Sequence, residues 1–461
     1  MKLSLGKRVD ATQNGIIRGI IIYAIPLVIS ALIQNAFNAV DLAVLGQMAN
    51  EEAVAAIGTT SSIVYLFLNA FIGMSNGAKM IMSRLFGEKN ADGIKNNADT
   101  VMSASVGFGI IASVIAFFVA PDLLIATNCP PECLTDAVLY TRVYLLASPA
   151  ILLYNSGSSV IMAAGDSQRP LVYVFIGGIV NVVLNIILCL ILPNKVAAVA
   201  IATATSQIVM AGLVIYRLCT MDGEYRLKIN QLTFKFAAFI EYLKQGVPLA
   251  ITQMLYPFAN ILVFSEVNVF GVAAAAGNVA ASTIDGFISP FIGAFNSTLV
   301  VFMGQNIGAR KYNRVEKSFK DSMLLSSIIS LILGIGIYLT GEIWCQIFIP
   351  DSPEAVVYAM TRMKFITAFH FMMAINGILG SAIQSYGYAT YSTITSIFTV
   401  LGFRFIWMQF IYPLFMGNIE MVFLCFNVSW TLDMIFKTTG VIIFRRIFYK
   451  KNNVNFPLNA E

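Results

Sequence analysis

Twelve apolar stretches, each of roughly 20 residues or more, run through this chain and leave little between them: about 16–46, 54–82, 98–121, 136–163, 168–193, 196–219, 237–266, 272–304, 317–341, 355–383, 388–413 and 417–448. A helix rises about 1.5 Å per residue, so each can cross a hydrocarbon core about 30 Å thick. Lipid offers no partner to a backbone N–H, which leaves only helices and closed barrels as spanning structures. A barrel needs short alternating segments, and the chain has none. The expected fold is therefore an all-α membrane protein with twelve transmembrane helices. Composition agrees, since 58% of the 461 residues are hydrophobic and 11% charged, against about a quarter charged in soluble domains. The first stretch is too long for a signal peptide, contains Pro26 and lacks a small-residue cleavage motif, so it is expected to stay in the mature protein.

The net charge of +5 is informative through its distribution, and nucleic acid is not an expected partner. Lys2, Lys7, Arg8, Arg84, Lys89, Lys95, Arg169, Arg217, Arg226, Lys228, Arg310, Lys311, Arg314, Arg445, Arg446, Lys450 and Lys451 fall at the tails and in every second loop. The intervening loops carry Glu51, Glu52, Asp122, Glu132, Glu342, Asp351, Glu354 and Glu420, with Lys195 as the exception. The positive-inside rule then places both termini in the cytoplasm of a multi-pass cell-membrane protein. Six cysteines show no metal spacing; Cys129 and Cys133, in "CPPEC", share an outward-facing loop as either a disulfide or two free thiols.

The pattern repeats after about 220 residues. "AIPLVISALIQNAFNAVDLAVLGQ" is echoed by "GVPLAITQMLYPFANILVFSEVNVFG", matching Pro26 to Pro248. "SRLFGEKNADGIKNNA" answers "GQNIGARKYNRVEKSF", and "AAGDSQRPLVYVFIGGIVNVVLNIILCLIL" answers "QSYGYATYSTITSIFTVLGFRFIWMQFIYPL", matching Gly165 to Gly387. Six spans per half make the repeats parallel, about an axis along the membrane normal. The expected domains are an N-terminal lobe, 1–219, a polar cytoplasmic linker, 220–236, and a C-terminal lobe, 237–461. Such a bundle pair suits a secondary transporter, and no Walker A or H-E-x-x-H motif argues for an enzyme.

Duplication supplies an internal control. A step of 222 residues sets Asp41 against Val263, Asn181 against Phe403 and Asn185 against Trp407, so this polar cluster belongs to the first half alone. Asn181 and Asn185 are spaced i, i+4 and share one helix face. Carboxylate and carboxamide oxygens suit a proton or a hard cation such as Na⁺; Thr203 in "AIATATSQ" can add a hydroxyl and Tyr140 a phenol. An acid at the bilayer centre costs about 2.5 to 3.5 kcal/mol, and Asp41, nearer the outer loop, bears less; it reads as a coupling-ion site, or else as a structural carboxylate held by the amides. Elsewhere, Asp285 and Arg404 are expected to pair, Asp433 and Lys437 form an i, i+4 pair, His370 is either a pH sensor or a core histidine, and Arg142, Arg362 and Lys364 are expected to snorkel at outer helix ends. Pro26 removes one backbone hydrogen bond and is a candidate helix bend.

In these stretches, through "IPLVIS", "NAVDLAVLG", "AAGDSQRP", "GGIVNVVLN", "AIATATSQ" and "GQNIGARKYNRV", the chain resembles the prokaryotic branch of the multidrug and toxic compound extrusion (MATE) family over nearly its whole length. The resemblance implies two lobes in a V and export of cationic or amphipathic organic compounds in exchange for H⁺ or Na⁺, with no other cofactor and a monomer as the expected state. It implies a first-lobe cation site built from residues like Asp41, Asn181 and Thr203, with an Asp where this chain has Asn185. The departure leaves a single carboxylate in the cluster. The seventh apolar stretch, 237–266, carries no acid in "VPLAITQMLYPF", which weakens a second-lobe sodium site. The alternative, a flippase for a lipid-linked sugar, calls for a basic cavity and further helices, neither of which the sequence displays.

Overall fold

The computed structural model describes residues 8–13, 15–48, 51–127, 129–221, 226–350, 352–415 and 417–454. Lys2, Lys7 and Asp351, the side chains of Glu51 and Glu52, and linker residues 222–225 lie outside the described residues.

The first half runs through α1 (Ile16–Met48), α2 (Glu51–Glu88), α3 (Ala91–Ala126), α4 (Pro131–Leu146), α5 (Ser148–Ala163), α6 (Gln168–Ile191) and α7 (Lys195–Thr220). The second runs through α8 (Phe236–Asn268), α9 (Val272–Asp285), α10 (Ser289–Gly308), α11 (Tyr312–Leu339), a short α12 (Gly341–Phe348), α13 (Pro353–Phe365), α14 (His370–Ser385), α15 (Ala389–Ser396), α16 (Phe403–Ile406) and α17 (Ile419–Lys451). No strand occurs among the described residues. Ten spans are long and apolar enough to cross a membrane, and the count reaches twelve when two bent pairs are each taken as one. Those pairs are α4 with α5, bent by 45°, and α9 with α10, bent by 41°. Both restart on Ser-Pro, Ser148-Pro149 and Ser289-Pro290. A proline in the first turn of a helix sacrifices an N–H that has no intrahelical acceptor, so it can open a new segment without a further lost bond. Some other starts are capped by side chains, as where Asn90 accepts from the Gly93 N–H and Asn194 from the Ala197 N–H, each at 2.8 Å.

The repeat is visible in the backbone. Lys89 (φ 54°) and Arg310 (φ 55°) occupy the turns after α2 and α10, and Gly165 (φ 89°) and Gly387 (φ 97°) those after α5 and α14. A side chain at Gly165 would overlap the carbonyl of Val9, whose N–H donates to the Gly165 oxygen at 2.9 Å.

Two compact units emerge, and their limits do not coincide with the sequence halves. The first holds Met1–Val9 and Ile29–Ala250; the second holds Asp10–Val28 and Ile251–Glu461. Helices α1 and α8 each contribute one end to either unit, and the change comes two residues after Pro26 and two after Pro248. Within the second unit, "GQNIGARKYNRV" grips the start of the chain. Gln305 accepts from the Ala11 N–H at 3.1 Å, Asn306 and Arg314 donate to the Ala11 oxygen at 3.1 and 2.7 Å, and Lys311 donates to the Thr12 oxygen at 2.9 Å. Within the first unit, the linker is clipped to α3, where Asp99 accepts from both the N–H (3.2 Å) and the hydroxyl (3.1 Å) of Thr233.

Helix contacts in the first unit depend on missing side chains. A Cβ at Gly73 would overlap the backbone of Leu249 and Ala250, and one at Gly77 would overlap that of Gly246; α2 and the first half of α8 touch backbone to backbone, the close packing that favours small residues between membrane helices. Gly107, by contrast, has nothing within 4 Å of its Cβ position. Gly73→Leu is expected to destabilise the protein by about 1–3 kcal/mol or more through overpacking, and Gly107→Leu to leave it unchanged. Thermal unfolding of the two variants in detergent measures the difference.

Candidate functional site

The first unit draws four of the expected residues into one bonded chain. Asn185 Nδ2 donates to Asp41 Oδ1 at 2.5 Å and to Asn181 Oδ1 at 3.3 Å. Asn181 Nδ2 donates to Thr203 Oγ1 at 3.2 Å, and the Thr203 hydroxyl donates to the Val199 carbonyl at 2.9 Å. The i, i+4 spacing on α6 stacks the two amides, α1 delivers the acid, and α7 closes the far end. Asn181 and Asn185 are buried, while Asp41 is half-buried. Among the described residues no Lys or Arg lies within 4 Å of Asp41, so its bonded partners are neutral.

One acceptor in this chain is left over. Asn185 Oδ1 is fully buried and has no hydrogen-bond partner. A buried carbonyl without a donor is costly, and beside a carboxylate it is an oxygen ready for a cation. The donor set is all hard oxygen, which suits Na⁺ or a proton and not a softer transition metal. Tyr140 stands apart from the bonded chain. It is buried, stacks on Tyr144 with ring centroids 6.0 Å apart, and lies within electrostatic reach of the acid.

What lets α1 come close enough is a residue that the sequence reading passed over. A Cβ at Gly178 would fall within the ring of Phe37, which lies one turn before Asp41 on α1, as Gly178 lies one turn before Asn181 on α6. The "GG" of "GGIVNVVLN" is the signal that could have found it. Lys79, buried on α2 with its amine donating to Asn76 Oδ1 at 2.8 Å, was also passed over.

At the corresponding positions the second unit carries apolar side chains. Val263, Trp407 and Phe403 belong to one packed cluster with Phe423, Phe426 and Trp430. Two expectations about its charges are corrected. Asp285 pairs with Arg362, Oδ2 to Nη1 at 2.5 Å, and not with Arg404; Arg362 is thereby buried and does not snorkel. Asp285 ends α9 at the bend, and Thr367, in the break between α13 and α14, donates to its Oδ1 at 2.6 Å. His370 starts α14 with Nδ1 3.1 Å from the Ile366 oxygen and 4.0 Å from Asp285 Oδ1, its ring edge-on to Trp430. Lys437 and Asp433 form the i, i+4 pair, at 2.7 Å. Cys129 and Cys133 are buried and not joined in a disulfide, and no cluster of metal-ligating side chains occurs among the described residues.

An all-helical duplicated chain with ten to twelve candidate spans and charged groups held inside each bundle is a multi-pass membrane transporter by architecture. The MatE family model matches residues 26–187 and again 248–408, so the chain belongs to the MatE family, whose members are transporters and not enzymes. The two matches begin 222 residues apart, at Pro26 and Pro248. The chain is 22% identical to the probable multidrug resistance protein YoeA of Bacillus subtilis over 84% of each sequence. It is 23% identical to the probable multidrug resistance protein NorM of Thermotoga maritima over 79% of each. Among solved structures, an outward-facing multidrug resistance MATE family transporter of the MOP superfamily superposes with a TM-score of 0.86 at 18% identity, covering 98% of this chain and all of that one.

Two outcomes follow from the packing. Gly178→Val should drive Phe37 and α1 away from α6 and abolish any cation response that depends on Asp41, while Gly212→Val, at a site with nothing within 4 Å, should not; ion-dependent transport in vesicles compares them. Asp285→Ala should destabilise the protein by about 3–5 kcal/mol by stranding Arg362, whereas the double variant Asp285→Leu with Arg362→Met should recover most of that loss. Unfolding midpoints of the two would read it.

Proposed function

We propose that this chain is a secondary active exporter that moves cationic or amphipathic organic compounds out of the cell in antiport with H⁺ or Na⁺, and that Asp41 carries the coupling ion. The observation that carries the reading is the orphaned Asn185 Oδ1 beside a carboxylate whose bonded partners are all neutral. Among the described residues no Lys or Arg lies within 4 Å to cancel that charge, which leaves the task to an arriving ion. Asn181, Asn185 and Thr203 would position the acid and share the ion, with Tyr140 beside them. The family match and the multidrug resistance relatives support the exporter class, and they do not favour the lipid-linked sugar flippase. The placement in the cell membrane with both termini cytoplasmic rests on the charge distribution.

Protein residues supply three functions here. The amides hold the carboxylate in register, the close α1–α6 contact excludes lipid and solvent from one side, and Pro26, near the point where α1 passes from one unit to the other, gives that helix a weak place at which ion occupancy can change its course. One charge moving inward through about 100 mV yields roughly 2.3 kcal/mol. At about 1.36 kcal/mol per decade, that sustains roughly a fiftyfold gradient of a neutral substrate. A cation exchanged one for one draws nothing from the voltage and depends on the ion gradient alone.

Dye efflux from proteoliposomes under separately imposed pH and Na⁺ gradients tests the reading. Wild type should respond to one gradient, which names the ion, and Asp41→Asn should lose that response while retaining its fold. A mutant that couples as well as wild type would make Asp41 structural, and no efflux by wild type would remove the exporter class.

A further inference from the structure

The second unit holds a charge that its own residues do not balance. Arg404, 1% exposed, is held by three neutral groups: its Nη1 donates to Asn260 Oδ1 at 2.9 Å, its Nε to Ser429 Oγ at 3.2 Å, and its guanidinium carbon lies 4.1 Å over the Phe426 ring. Among the described residues, no carboxylate lies within 4 Å of it and its Nη2 amine makes no hydrogen bond. The nearby acid, Asp433, is already spent. Its Oδ2 takes Lys437 at 2.7 Å and its Oδ1 takes the Thr399 hydroxyl at 2.9 Å. Tyr256 lies within electrostatic reach of Arg404, Asp433 and Lys437 together, so the three charges form one buried group with one positive charge over.

A buried guanidinium without a counter-ion costs several kcal/mol, and a packing role at this depth would be met by a Met or Leu. The repeat shows that the fold does not require it: 222 residues earlier, Arg404, Asp433 and Lys437 correspond to Val182, Ala211 and Ile215. The local helix is also altered. Wider π-helical turns, Ile397–Gly402 and Trp407–Ile411, bracket Arg404 on both sides, a feature frequent at functional sites. Asn260 and Tyr256 on α8 are half-buried, so the guanidinium sits one amide behind a partly exposed stretch of α8.

We propose that Arg404 anchors an acidic group, a carboxylate or phosphate, on the transported compound, with Asn260 as the amide it displaces; the exported class then includes organic anions and zwitterions as well as cations. This deepens the exporter reading above and rests on it. An oxyanion arriving at Arg404 replaces one neutral acceptor by a charged one, accepts from Nη1 and the free Nη2 as a forked pair, and cancels the excess charge.

A matched pair of dyes isolates the acid: a rhodamine with a free carboxylate and its methyl ester, which differ only at that group. Equilibrium binding to the purified protein in phosphatidylcholine nanodiscs should favour the free acid in wild type. Arg404→Gln should weaken the free acid by about tenfold or more, the scale of a hydrogen bond to a charged group, and leave the ester within about twofold. Asn260→Asp supplies an internal carboxylate, so it should raise the unfolding midpoint and erase the preference for the acid although the guanidinium remains, an effect that a purely structural Arg404 would not produce. Equal loss of both dyes in Arg404→Gln, or an acid preference that survives both variants, overturns the proposal, as does the absence of any preference in wild type. Repeating the titration with phosphatidylglycerol in the nanodisc separates the sources. Competition by the anionic lipid that vanishes in Arg404→Gln would assign the site to a headgroup and overturn the cargo assignment. Ester efflux that still depends on Asp41 after such a result would leave the exporter reading intact, whereas loss of coupling with the acid preference retained would break only that reading.

Discussion

A hydrocarbon interior solvates neither a peptide N–H nor a charged side chain, and most of this structure follows from that refusal. The backbone must bond to itself, so the described spans are helical. Where a span breaks, the break is local and its edges are bonded. The bend between α9 and α10 is met by Asp285, which Arg362 and Thr367 satisfy, and the break between α13 and α14 is the segment from which Thr367 donates. Gly334 allows α11 to lie directly against the Thr367 carbonyl. Interrupted helices and buried charge occur together because each makes the other affordable.

Duplication gave the two units the same scaffold and then different interiors. The turns at Lys89 and Arg310, and at Gly165 and Gly387, keep the same unusual backbone in both halves. The polar groups do not follow. Asp41, Asn181 and Asn185 face Val263, Phe403 and Trp407 across the repeat, and Arg404, Asp433 and Lys437 face Val182, Ala211 and Ile215. Backbone geometry is shared because both halves solve the same packing problem. Side-chain charge differs because packing does not require it, as the apolar counterpart of each polar group shows.

The helices were legible in the sequence because twenty apolar residues in a row have few other uses, and the repeat because prolines and glycines mark backbone geometry directly. The stack of Asn181 on Asn185 was legible too, since i, i+4 spacing on one helix fixes a shared face, and the repeat comparison and the family resemblance added Asp41 and Thr203 to it. Other partners across helices were not. Asp285 has Arg362 and Arg404 on different helices, and nothing in spacing decides between them; the structure chooses Arg362 because the bend after α9 and the break after α13 carry both to one place. The unit limits were likewise hidden, because the handover within α1 and α8 depends on which neighbours each end meets, as Ala11, just before α1, meets Gln305, Asn306 and Arg314.

Among the acids of this molecule, Asp41, Asp285 and Asp433 differ less in depth than in company. Asp285 sits 2.5 Å from Arg362 and Asp433 2.7 Å from Lys437. Binding a proton or Na⁺ at either would leave a guanidinium or an ammonium stranded in a medium that cannot solvate it, so the fixed cation opposes the exchange. Asp41 meets two amides and, at the end of the chain, a hydroxyl. Amides are neutral before and after an ion arrives, and they can turn an oxygen or an N–H toward whichever state is present. An acid that must gain and lose a charge in every cycle therefore needs neutral company, and an acid meant to stay charged needs a cation. By that criterion the partner, more than the burial, separates the coupling candidate from the structural pairs, and it explains why Asn185 can stand in a place where a second carboxylate would have made the exchange a shared one.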